Sequence, residues 1–427
     1  MKGSPLRILI LGINYWPERT SVSPFTTGLS EHLAAQGHTV RVITAFPYYP
    51  EWRTWDSYRG KITQKEIIKG VEVRRVMHFV PWKPSSLVQR LVHDFSFAVA
   101  ALIAGIGARK WDVIYCSSPP PAVALAAYLL SIWHSVPFTI KLTDLASEAA
   151  IATDILRQDG LTIRAARALE DFVYRKAVAV FCLCDAFIYK LDARGIASSK
   201  LHRVPDWADT ESIRPMSADD SFRVANGIAP SQFVALHTGN MGKKQDLMNI
   251  VRAAETSKRD ENLLWVIVGE GEERKMIEKE VAARKLTNLH LLPLQPASSM
   301  AQMYAAADIL ILNQKASVKD AVIPSKLLTY MSSGRPIVAA VSDESEATRQ
   351  IRKANCGLVV TPEDPNALVD GVRALQSDHQ QRMVLGTYGR SYAEANFTKL
   401  MVLNSYDKMF ESMLSKLPAE TCVDMPA

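Results

Sequence analysis

The chain has 427 residues, enough for two or three domains that each bury a core. Its composition, 48% hydrophobic and 22% charged, excludes a disordered or fibrous protein. The net charge of +6 is uneven, since residues 1–205 carry 25 Lys and Arg against 16 Asp and Glu (+9), whereas residues 206–427 carry 25 against 28 (−3). We therefore expect an anionic partner for the first half. A membrane surface or a phosphorylated acceptor is favoured over nucleic acid, because no basic-aromatic reading motif is present.

The five cysteines are scattered and odd in number, as expected for reduced thiols in the cytoplasm. Neither they nor the nine histidines show the spacing of metal ligands, so we predict no metal and no cofactor. The first residues lead directly into an apolar strand, and we expect no signal peptide.

An apolar run at residues 6–12 predicts a buried parallel strand, because a strand covered on both faces needs a continuous apolar sequence. A polar loop follows at residues 14–24, then a helical pattern that ends at Gly37 and a second strand at residues 40–44. This order indicates a doubly wound α/β domain whose ligand lies beyond the strand ends. The loop lacks the G-x-G-x-x-G fingerprint, which argues against a dinucleotide cofactor.

Two further segments of the first half each allow two interpretations. Residues 46–61 combine aromatic residues with prolines, so this loop either stacks a sugar ring or packs against the core. Residues 80–110 contain an uncharged run, residues 95–108, between basic and aromatic flanks. The run is too short to span a bilayer, and it fits either an interfacial helix or a buried core helix.

Two carboxylates, Asp144 and Glu148, appear where an apolar strand ends. Doubly wound domains keep their chemistry at such strand ends, so both are site candidates; the alternative is a helix N-cap followed by a first-turn acid. Residues 205–229 are dense in Pro, Ser and Asp and predict a linker.

The second half repeats a strand followed by a loop three times, with loops at residues 239–245, 269–273 and 320–326. Glycines in the first two loops let the backbone approach a ligand, and the lysines of the first loop would neutralise a phosphate. The third loop leads into a helix predicted to begin at Pro324-Ser325, whose free N–H groups suit an anion. One nucleotide could contact all three loops.

Five motifs occur in order along the chain: Gly12-Ile-Asn-Tyr-Trp-Pro-Glu18, Gln36-Gly-His-Thr-Val40, Pro47-Tyr-Tyr-Pro-Glu51, Gly239-Asn-Met-Gly-Lys-Lys-Gln245 and Pro324-Ser-Lys-Leu327. With them the chain resembles the retaining family 4 glycosyltransferases, and within these the WcaI/WbuB type of colanic acid and exopolysaccharide biosynthesis. The resemblance covers residues 6–415. It implies an α/β protein of the GT-B fold, in which two Rossmann-like doubly wound domains face a central cleft.

The resemblance implies a metal-independent hexosyltransferase that moves a sugar from a nucleotide-sugar with retention of anomeric configuration. GDP-fucose is the favoured donor, followed by a UDP-sugar. The implied acceptor is a lipid-diphosphate-linked saccharide. The implied location is cytoplasmic, with peripheral attachment to the inner face of the cytoplasmic membrane through residues 80–110. The alternatives are a nucleotide-sugar epimerase or phosphorylase on the same fold, and a non-catalytic nucleotide-sugar-binding protein associated with the membrane.

The loops and the resemblance together give the candidate residues. The catalytic candidates are Asp144, Lys244 and Asp320. The donor-binding candidates are Gly239, Asn240, Lys243, Lys244, Gly269, Gly271, Glu272, Pro324, Ser325, Lys326 and Thr329. The acceptor-binding candidates are Tyr15, Glu18, Ser23, Tyr48, Tyr49 and Glu148.

The chain departs from the wider family at the Glu-x7-Glu motif, whose two acids correspond here to Ala321 and Thr329. Asp320 is the candidate replacement for the first acid, displaced by one residue. The predicted segments are an N-terminal acceptor domain (1–204), a linker (205–232), a nucleotide-sugar domain (233–391), helices that cross back to the N-domain (392–416) and a tail (417–427).

Overall fold

The structure is a computed structural model that describes residues 4–19, 22–84, 86–107, 109–152, 160–216, 221–318 and 324–415. It divides into two compact units: one runs to Pro205 and takes in the chain again from Val402, and the other spans Asp206–Met401. The candidate Asp320, its neighbour Ala321 and the tail at 417–427 lie outside the described residues.

The described part of the first unit contains, in chain order, β1 (Arg7–Leu11), α1 (Ser23–Ala35), β2 (Thr39–Ala45), β3 (Thr63–Ile68), β4 (Val71–Val76), α2 (Leu87–Gly105), β5 (Val113–Ser118), α3 (Pro121–His134), β6 (Phe138–Leu142), α4 (Ala146–Ala152), α5 (Leu161–Lys176), β7 (Ala179–Cys182), α6 (Asp185–Ala193) and β8 (Leu201–Arg203). The strands form one sheet in the order β3-β4-β2-β1-β5-β6-β7-β8. Strands β3 and β4 pair antiparallel, whereas β1 pairs in parallel with β2 on one side and β5 on the other. The sheet order therefore reverses at β1, as in a doubly wound domain.

The second unit contains, in chain order, α7 (Ser221–Ala225), β9 (Phe233–Thr238), α8 (Leu247–Thr256), β10 (Leu263–Val268), α9 (Arg274–Ala283), β11 (Leu289–Leu292), α10 (Met300–Ala305), β12 (Ile309–Asn313), α11 (Lys326–Ser333), β13 (Ile337–Ala340), α12 (Glu346–Ala354), β14 (Gly357–Val360), α13 (Pro365–Ser377) and α14 (His379–Asn396). Its sheet has the order β11-β10-β9-β12-β13-β14, and every pair is parallel. The order reverses between β9 and β12, which places their loops at the switch point where open α/β sheets bind ligands.

The apolar runs of the sequence form the buried strands of both sheets. Every residue of β9 and of β10 is buried, because helices cover both faces of the parallel sheet. Burial of such runs supplies most of the favourable free energy of folding, at about 25 cal/mol per Å² of apolar surface. The fold class predicted from the sequence, two doubly wound α/β domains, is confirmed.

The segment predicted as a linker contributes to a core. Ala208, Ile213, Phe222 and Ile228 are buried in the apolar cluster of the second unit. Proline and polar residues dominate the composition of this segment, but these four apolar side chains are spaced so that each reaches the core. The segment therefore acts as part of the second unit.

The last helix, α15 (Lys399–Ser415), belongs with the first unit from Val402 onward. Its Tyr406 and Phe410 are buried against Tyr115, with ring centroids 6.0 and 6.4 Å away. The preceding helix α14 packs on α11 inside the second unit. The chain thus changes unit within α15, beyond the predicted boundary at residue 392.

Candidate functional site

The loops that follow β9 and β10 are joined through their backbones. Met241 N–H donates to Glu270 O at 2.8 Å, and Glu273 N–H donates to Met241 O at 3.0 Å. Gly269 has a φ of +157°, and a Cβ there would lie 1.9 Å from Gly239 O. No side chain fits at that distance, so glycine is required where the two loops meet.

Lys326, the first residue of α11, connects this helix to the loop after β9. Its Nζ lies 3.1 Å from His237 Nε2 and 3.2 Å from Gln245 Oε1. It also lies 3.3 Å from the point where a Cβ on Gly239 would be. An ammonium group has three N–H donors, and the described residues accept two of them. The third is available to an anion at the glycine loops.

His237 lies near the end of the buried strand β9. Its second ring nitrogen fixes the direction of the hydrogen bond between His237 and Lys326. Its Nδ1 lies 3.0 Å from Ile311 O, so Nδ1 carries the proton and Nε2 accepts from Lys326. Burial first, and then the charge of Lys326, hold the pKa of His237 well below its usual range. His237 is therefore a neutral acceptor at physiological pH.

The environment of Lys326 disfavours its charge. Burial first, and then the nearby charge of Lys244, lower the pKa of Lys326 to about 7. Among the described residues, its hydrogen-bond partners are a neutral ring and an amide rather than a carboxylate. A ligand with negative charge would supply the missing counterion.

Asn313, at the end of β12, holds the lysine turn of the first loop. Its Nδ2 donates to Gln245 O at 2.7 Å and to Asp246 O at 2.9 Å. Its Oδ1 accepts from Asn249 Nδ2 at 3.0 Å. All polar atoms of this buried amide are engaged, so Lys243 and Lys244 project from a turn that is fixed on its inner side.

Tyr330 of α11 and Tyr304 of α10 tie these two helices to the end of β9. Thr238 N–H donates to Tyr330 Oη at 2.9 Å, and Thr238 Oγ1 lies 3.1 Å from Tyr304 Oη. The helix ends at Gly334, whose φ of +70° suits a left-handed C-cap. The bond from Thr238 to Tyr330 therefore helps to place Lys326, on the first turn of the same helix, at the glycine loops.

The other donor-binding candidates surround this centre with different exposure. Asn240, Lys243, Glu272 and Ser325 are exposed, Lys244 and Thr329 are half-buried, and Pro324 is buried. The structure thus brings together the loops at 239–245 and 269–273 with Lys326. Sequence reasoning missed His237 and the position of Gln245; a histidine within an otherwise apolar strand was the available signal.

The acceptor-binding candidates near the N-terminus are engaged inside the first unit. Tyr15 Oη lies 2.9 Å from Ser30 Oγ, and Ser23 Oγ donates to Glu18 O at 2.6 Å. Burial raises the pKa of Tyr15 to about 12. The structure shows internal bonding for these side chains, and contact with an acceptor stays a prediction.

Glu18 holds the aromatic loop in place. Its Oε1 accepts from the backbone N–H groups of Tyr48 and Tyr49 at 2.8 and 2.7 Å, and its Oε2 accepts from Asn14 Nδ2 at 2.9 Å. The Tyr48 side chain is buried, with Oη 3.1 Å from His93 Nε2. The start of the 46–61 loop therefore packs against the core, which was one of the two interpretations.

The candidates that follow β6 lie beside a buried ion network. Asp144 is half-buried and precedes α4. Glu170, fully buried, accepts from Ser147 N–H at 2.8 Å and from Ser147 Oγ at 2.7 Å, and it pairs with Arg194 at 2.9 Å. Glu148 forms an ion pair with Lys190 at 2.5 Å. The network fixes the first turn of α4, which follows Asp144 in the chain.

No group of three or more His, Cys, Asp or Glu side chains in the described part of the chain is arranged to hold a metal ion. The cysteines Cys116, Cys182, Cys184 and Cys356 are buried.

Helix α2 is buried on one face and exposed on the other. By length and composition it could cross a membrane, and 28% of its most apolar stretch is buried in the first unit. Its exposed apolar residues are Val88, Leu91, Val92, Phe95, Val99 and Ile103. They recur every three or four residues and so form one stripe. The helix is longer than the uncharged run predicted, because Ser86 caps it ahead of Arg90 and Asp94.

Two family models together match nearly all of the chain. Residues 21–207 match the "Glycosyl transferase 4-like domain", and residues 218–392 match "Glycosyl transferases group 1". A relative from Escherichia coli K12, named as the colanic acid biosynthesis glycosyl transferase WcaI, is 30% identical over 411 residues. That alignment covers 94% of this chain and 98% of the relative.

Solved structures of low identity share the fold. Sucrose-phosphate synthase from Thermosynechococcus elongatus is 15% identical, with a TM-score of 0.76 over 96% of this chain and 100% of its own. HepE from Anabaena, solved in complex with UDP, is also 15% identical, with a TM-score of 0.70 over 95% of this chain and 100% of its own. These similarities extend over both units.

Proposed function

The chain belongs to the WcaI-like glycosyltransferases, and from that premise we propose that it transfers a hexose from a nucleotide-sugar to a lipid-diphosphate-linked saccharide in exopolysaccharide biosynthesis. The proposal includes retention of anomeric configuration and independence from divalent metal. The supporting observation is the contact of Lys326 with His237 and Gln245 beside Gly239. Lys326 thus places a positive charge beside the glycine loops at the switch point of the sheet, and no described residue accepts its third N–H donor.

Departure of a nucleoside diphosphate builds negative charge on the leaving phosphate. Lys326 and Lys244 would stabilise that charge from fixed positions, and preorganised donors of this kind act without reorganising during the reaction. Because Asn313 and the two tyrosines already hold these elements, little ordering remains to be done when the donor binds.

The proposal assigns the diphosphate to Gly239, Lys243, Lys244 and Lys326. It assigns the nucleoside to the neighbourhood of Gly269, Gly271 and Glu272, with Thr329 at the position of the ribose contact, and the donor sugar to Asn240, Asp320 and Ser325. Acidic side chains in the Gly269 loop suit hydroxyl groups of a ribose better than a pyrophosphate. Asp144 stays the candidate for the reaction centre on the acceptor side, with the assignment resting on the family resemblance.

GDP-fucose is the proposed donor, with a UDP-sugar as the alternative. The first choice follows from the likeness to the relative named for colanic acid biosynthesis, and the second from the UDP bound to the Anabaena neighbour. Binding of the correct nucleotide raises stability by about 2.7 kcal/mol at a hundredfold excess over Kd. A thermal-shift series with GDP, UDP and ADP therefore separates the two.

We also propose that the first unit attaches to the inner face of the membrane through the exposed stripe of α2. Trp82 before the helix is 78% exposed, and Ile132 and Trp133 of the adjacent helix α3 are exposed as well. His134 Nε2 lies 3.0 Å from Gly105 O, which ties the end of α3 to the end of α2. Apolar side chains with basic neighbours such as Lys83 are typical of an interfacial helix.

The direct test supplies candidate nucleotide-sugars with a polyprenyl-diphosphate-linked acceptor and follows products by mass spectrometry and NMR. Transfer that keeps the anomeric configuration of the donor, in the presence of EDTA, supports the proposal. Isomerisation of the donor without an acceptor would identify an epimerase instead. Nucleotide binding without any turnover would favour the non-catalytic alternative.

A further inference from the structure

A cavity of about 400 Å³ lies in the first unit, between the later part of the 46–61 loop and residues 77–82. The argument concerns six of its lining residues: Trp52, Arg53, Tyr58, Arg59, Lys61 and Trp82. Three of them are cations and three are aromatic, and no acidic residue lines the cavity. We name this cavity the basic pocket.

The basic pocket keeps a positive charge after its nearest ion pairs are counted. Asp56 pairs with Arg53 at 2.8 Å and with Arg59 at 3.2 Å, and its side chain is 72% exposed. A hydrogen bond from Arg53 and the charges of both arginines lower the pKa of Asp56, so it is anionic at neutral pH. Three cations against one anion leave two charges for a ligand. Guanidinium groups match phosphate oxygens in geometry.

The walls of the basic pocket are held by buried groups. Arg75, which is buried, lies 5.4 Å beneath the Tyr58 ring, and Phe46 packs against that ring on another side at 5.7 Å. The clamp formed by Glu18 fixes the backbone just before Trp52. His78 also lines the cavity, and its buried Nε2 has no hydrogen-bond partner among the described residues. The pocket is therefore preformed, and one polar atom in its wall is unsatisfied.

The basic pocket is continuous with the exposed stripe of α2. Trp82 lines the cavity and is 78% exposed, and its ring packs against Phe79 at 5.4 Å. The helix begins a few residues later at Leu87, with Val88 and Leu91 exposed on its first turns. A molecule that satisfies both surfaces carries a phosphate at one end and an apolar chain at the other.

We propose that the basic pocket binds the phosphate of a membrane lipid whose apolar chain lies along α2, and that this phosphate is the diphosphate of the lipid-linked acceptor. The identity of the acceptor rests on the proposed function. Lipid binding at the pocket does not, because the cavity, its charges and the apolar stripe are features of the first unit alone.

The test compares the full-length protein with a triple variant, R53Q/R59Q/K61Q, in vesicle flotation. One set of phosphatidylcholine vesicles contains a small fraction of polyprenyl diphosphate, and the other carries an equal surface charge as phosphatidylglycerol. Because three cations near the membrane are removed, we expect binding to the polyprenyl diphosphate vesicles to weaken at least about tenfold. Soluble inorganic pyrophosphate should displace the wild type from the same vesicles.

The matched control is K258Q/R259Q/K279Q, which removes three exposed cations from the second unit. A larger loss for the pocket variant than for the control, on polyprenyl diphosphate vesicles above all, supports the proposal. An equal loss on both vesicle types assigns the pocket to ordinary phospholipid head groups. Binding of the pocket variant at the level of the control, with no displacement by pyrophosphate, would overturn it.

Nucleotide binding measured on the same variants separates this inference from the proposed function. The pocket variant should bind its nucleotide as the wild type does, since all three substitutions lie outside the second unit. If the wild type binds the lipid but transfers no sugar, and the pocket variant does not bind the lipid, the proposed function fails and the lipid site stands. If the wild type transfers sugar and the pocket variant binds the lipid as well as the control does, only the lipid site is ruled out.

Discussion

Lys326 Nζ donates a hydrogen bond to His237 Nε2 at 3.1 Å, so that a buried base accepts from an ammonium group with no carboxylate partner among the described residues. The charge of Lys326 disfavours protonation of His237, and burial together with the charge of Lys244 disfavours protonation of Lys326. The arrangement is unfavourable for the free protein and becomes favourable when an anion arrives. Ionisable groups with such perturbed pKa values typically serve ligand binding and do not stabilise the fold.

Replacing Lys326 by methionine separates these two roles. Methionine keeps most of the volume and removes the charge, so nucleotide affinity and turnover should fall, turnover on the order of a hundredfold. The folded state lowers the pKa of Lys326 to about 7, which is below its unfolded value, so the charged lysine penalises folding most below pH 7. The nucleotide-free K326M variant should therefore gain thermal stability at pH 6 and less at pH 9, measured by differential scanning calorimetry.

The same group predicts how nucleotide affinity depends on pH. Protonated Lys326 is the form that binds a diphosphate, so affinity should be constant below about pH 7 and weaken above it, by up to about tenfold for each pH unit. The K326R variant should flatten this profile, because arginine stays charged over the whole range. Calorimetric titrations from pH 6 to 9 measure both. An unchanged slope in K326R would remove Lys326 from the pH dependence.

Because the two glycine loops touch at Gly269, this position should not tolerate a larger residue. In G269A the new Cβ would lie 1.9 Å from Gly239 O, so the loops must separate, at a cost of roughly 1–3 kcal/mol in the free energy of unfolding. Nucleotide affinity should fall with it. The matched control is G107A, where no atom lies within 4 Å of the added Cβ. Denaturant unfolding of the two variants gives the difference, and equal stabilities would contradict the described loop contact.

The stability of the first unit should depend strongly on the negative charge of Glu170. In E170A, Arg194 stays buried while it loses one of its two carboxylates, and the first turn of α4 loses its anchor at Ser147. We expect a loss of about 3–5 kcal/mol, whereas E170Q keeps part of the hydrogen bonding and should lose less. Chemical denaturation of both variants tests the order. A milder effect for alanine than for glutamine would refute it.

Membrane attachment depends on the exposed stripe of α2. Val99 is 54% exposed, so V99E should leave thermal stability almost unchanged. Its binding to anionic vesicles should weaken about tenfold or more. The variant loses an apolar side chain that would enter the membrane, and it gains a negative charge that the anionic surface repels. The control Y189E adds the same charge at an exposed aromatic residue of α6. If both variants bind vesicles as the wild type does, α2 is not the attachment surface.

Periodicity and glycine spacing predicted most of the fold. The strand predicted at residues 233–238 has those bounds in the structure, and the helix expected from Pro324-Ser325 to Gly334 begins at Lys326 with Ser325 as its N-cap. Local sequence carries this information because buried parallel strands need continuous apolar runs. The antiparallel β3–β4 pair was not anticipated, since alternating burial on an edge hairpin leaves a weaker apolar pattern.

The site was predicted at the level of loops and only partly at the level of atoms. Lys326 was a candidate, but its partners His237 and Gln245 belong to another strand and loop, and only the sheet order brings them together. The same holds for the basic pocket, whose arginines and Trp82 are separated in sequence by β3 and β4. Contacts across elements depend on packing, which residue spacing does not encode.

The return of α15 to the first unit affects how the protein is made. During translation, residues 4–205 leave the ribosome well before Tyr406 and Phe410, which complete the packing around Tyr115. Until then the first unit exposes an apolar surface that chaperones can recognise, although domains usually fold as they emerge. The second unit is continuous in sequence from Asp206 to Met401 and has no such delay. We therefore expect a released chain truncated after Met401 to hold a folded second unit together with an incompletely packed first unit.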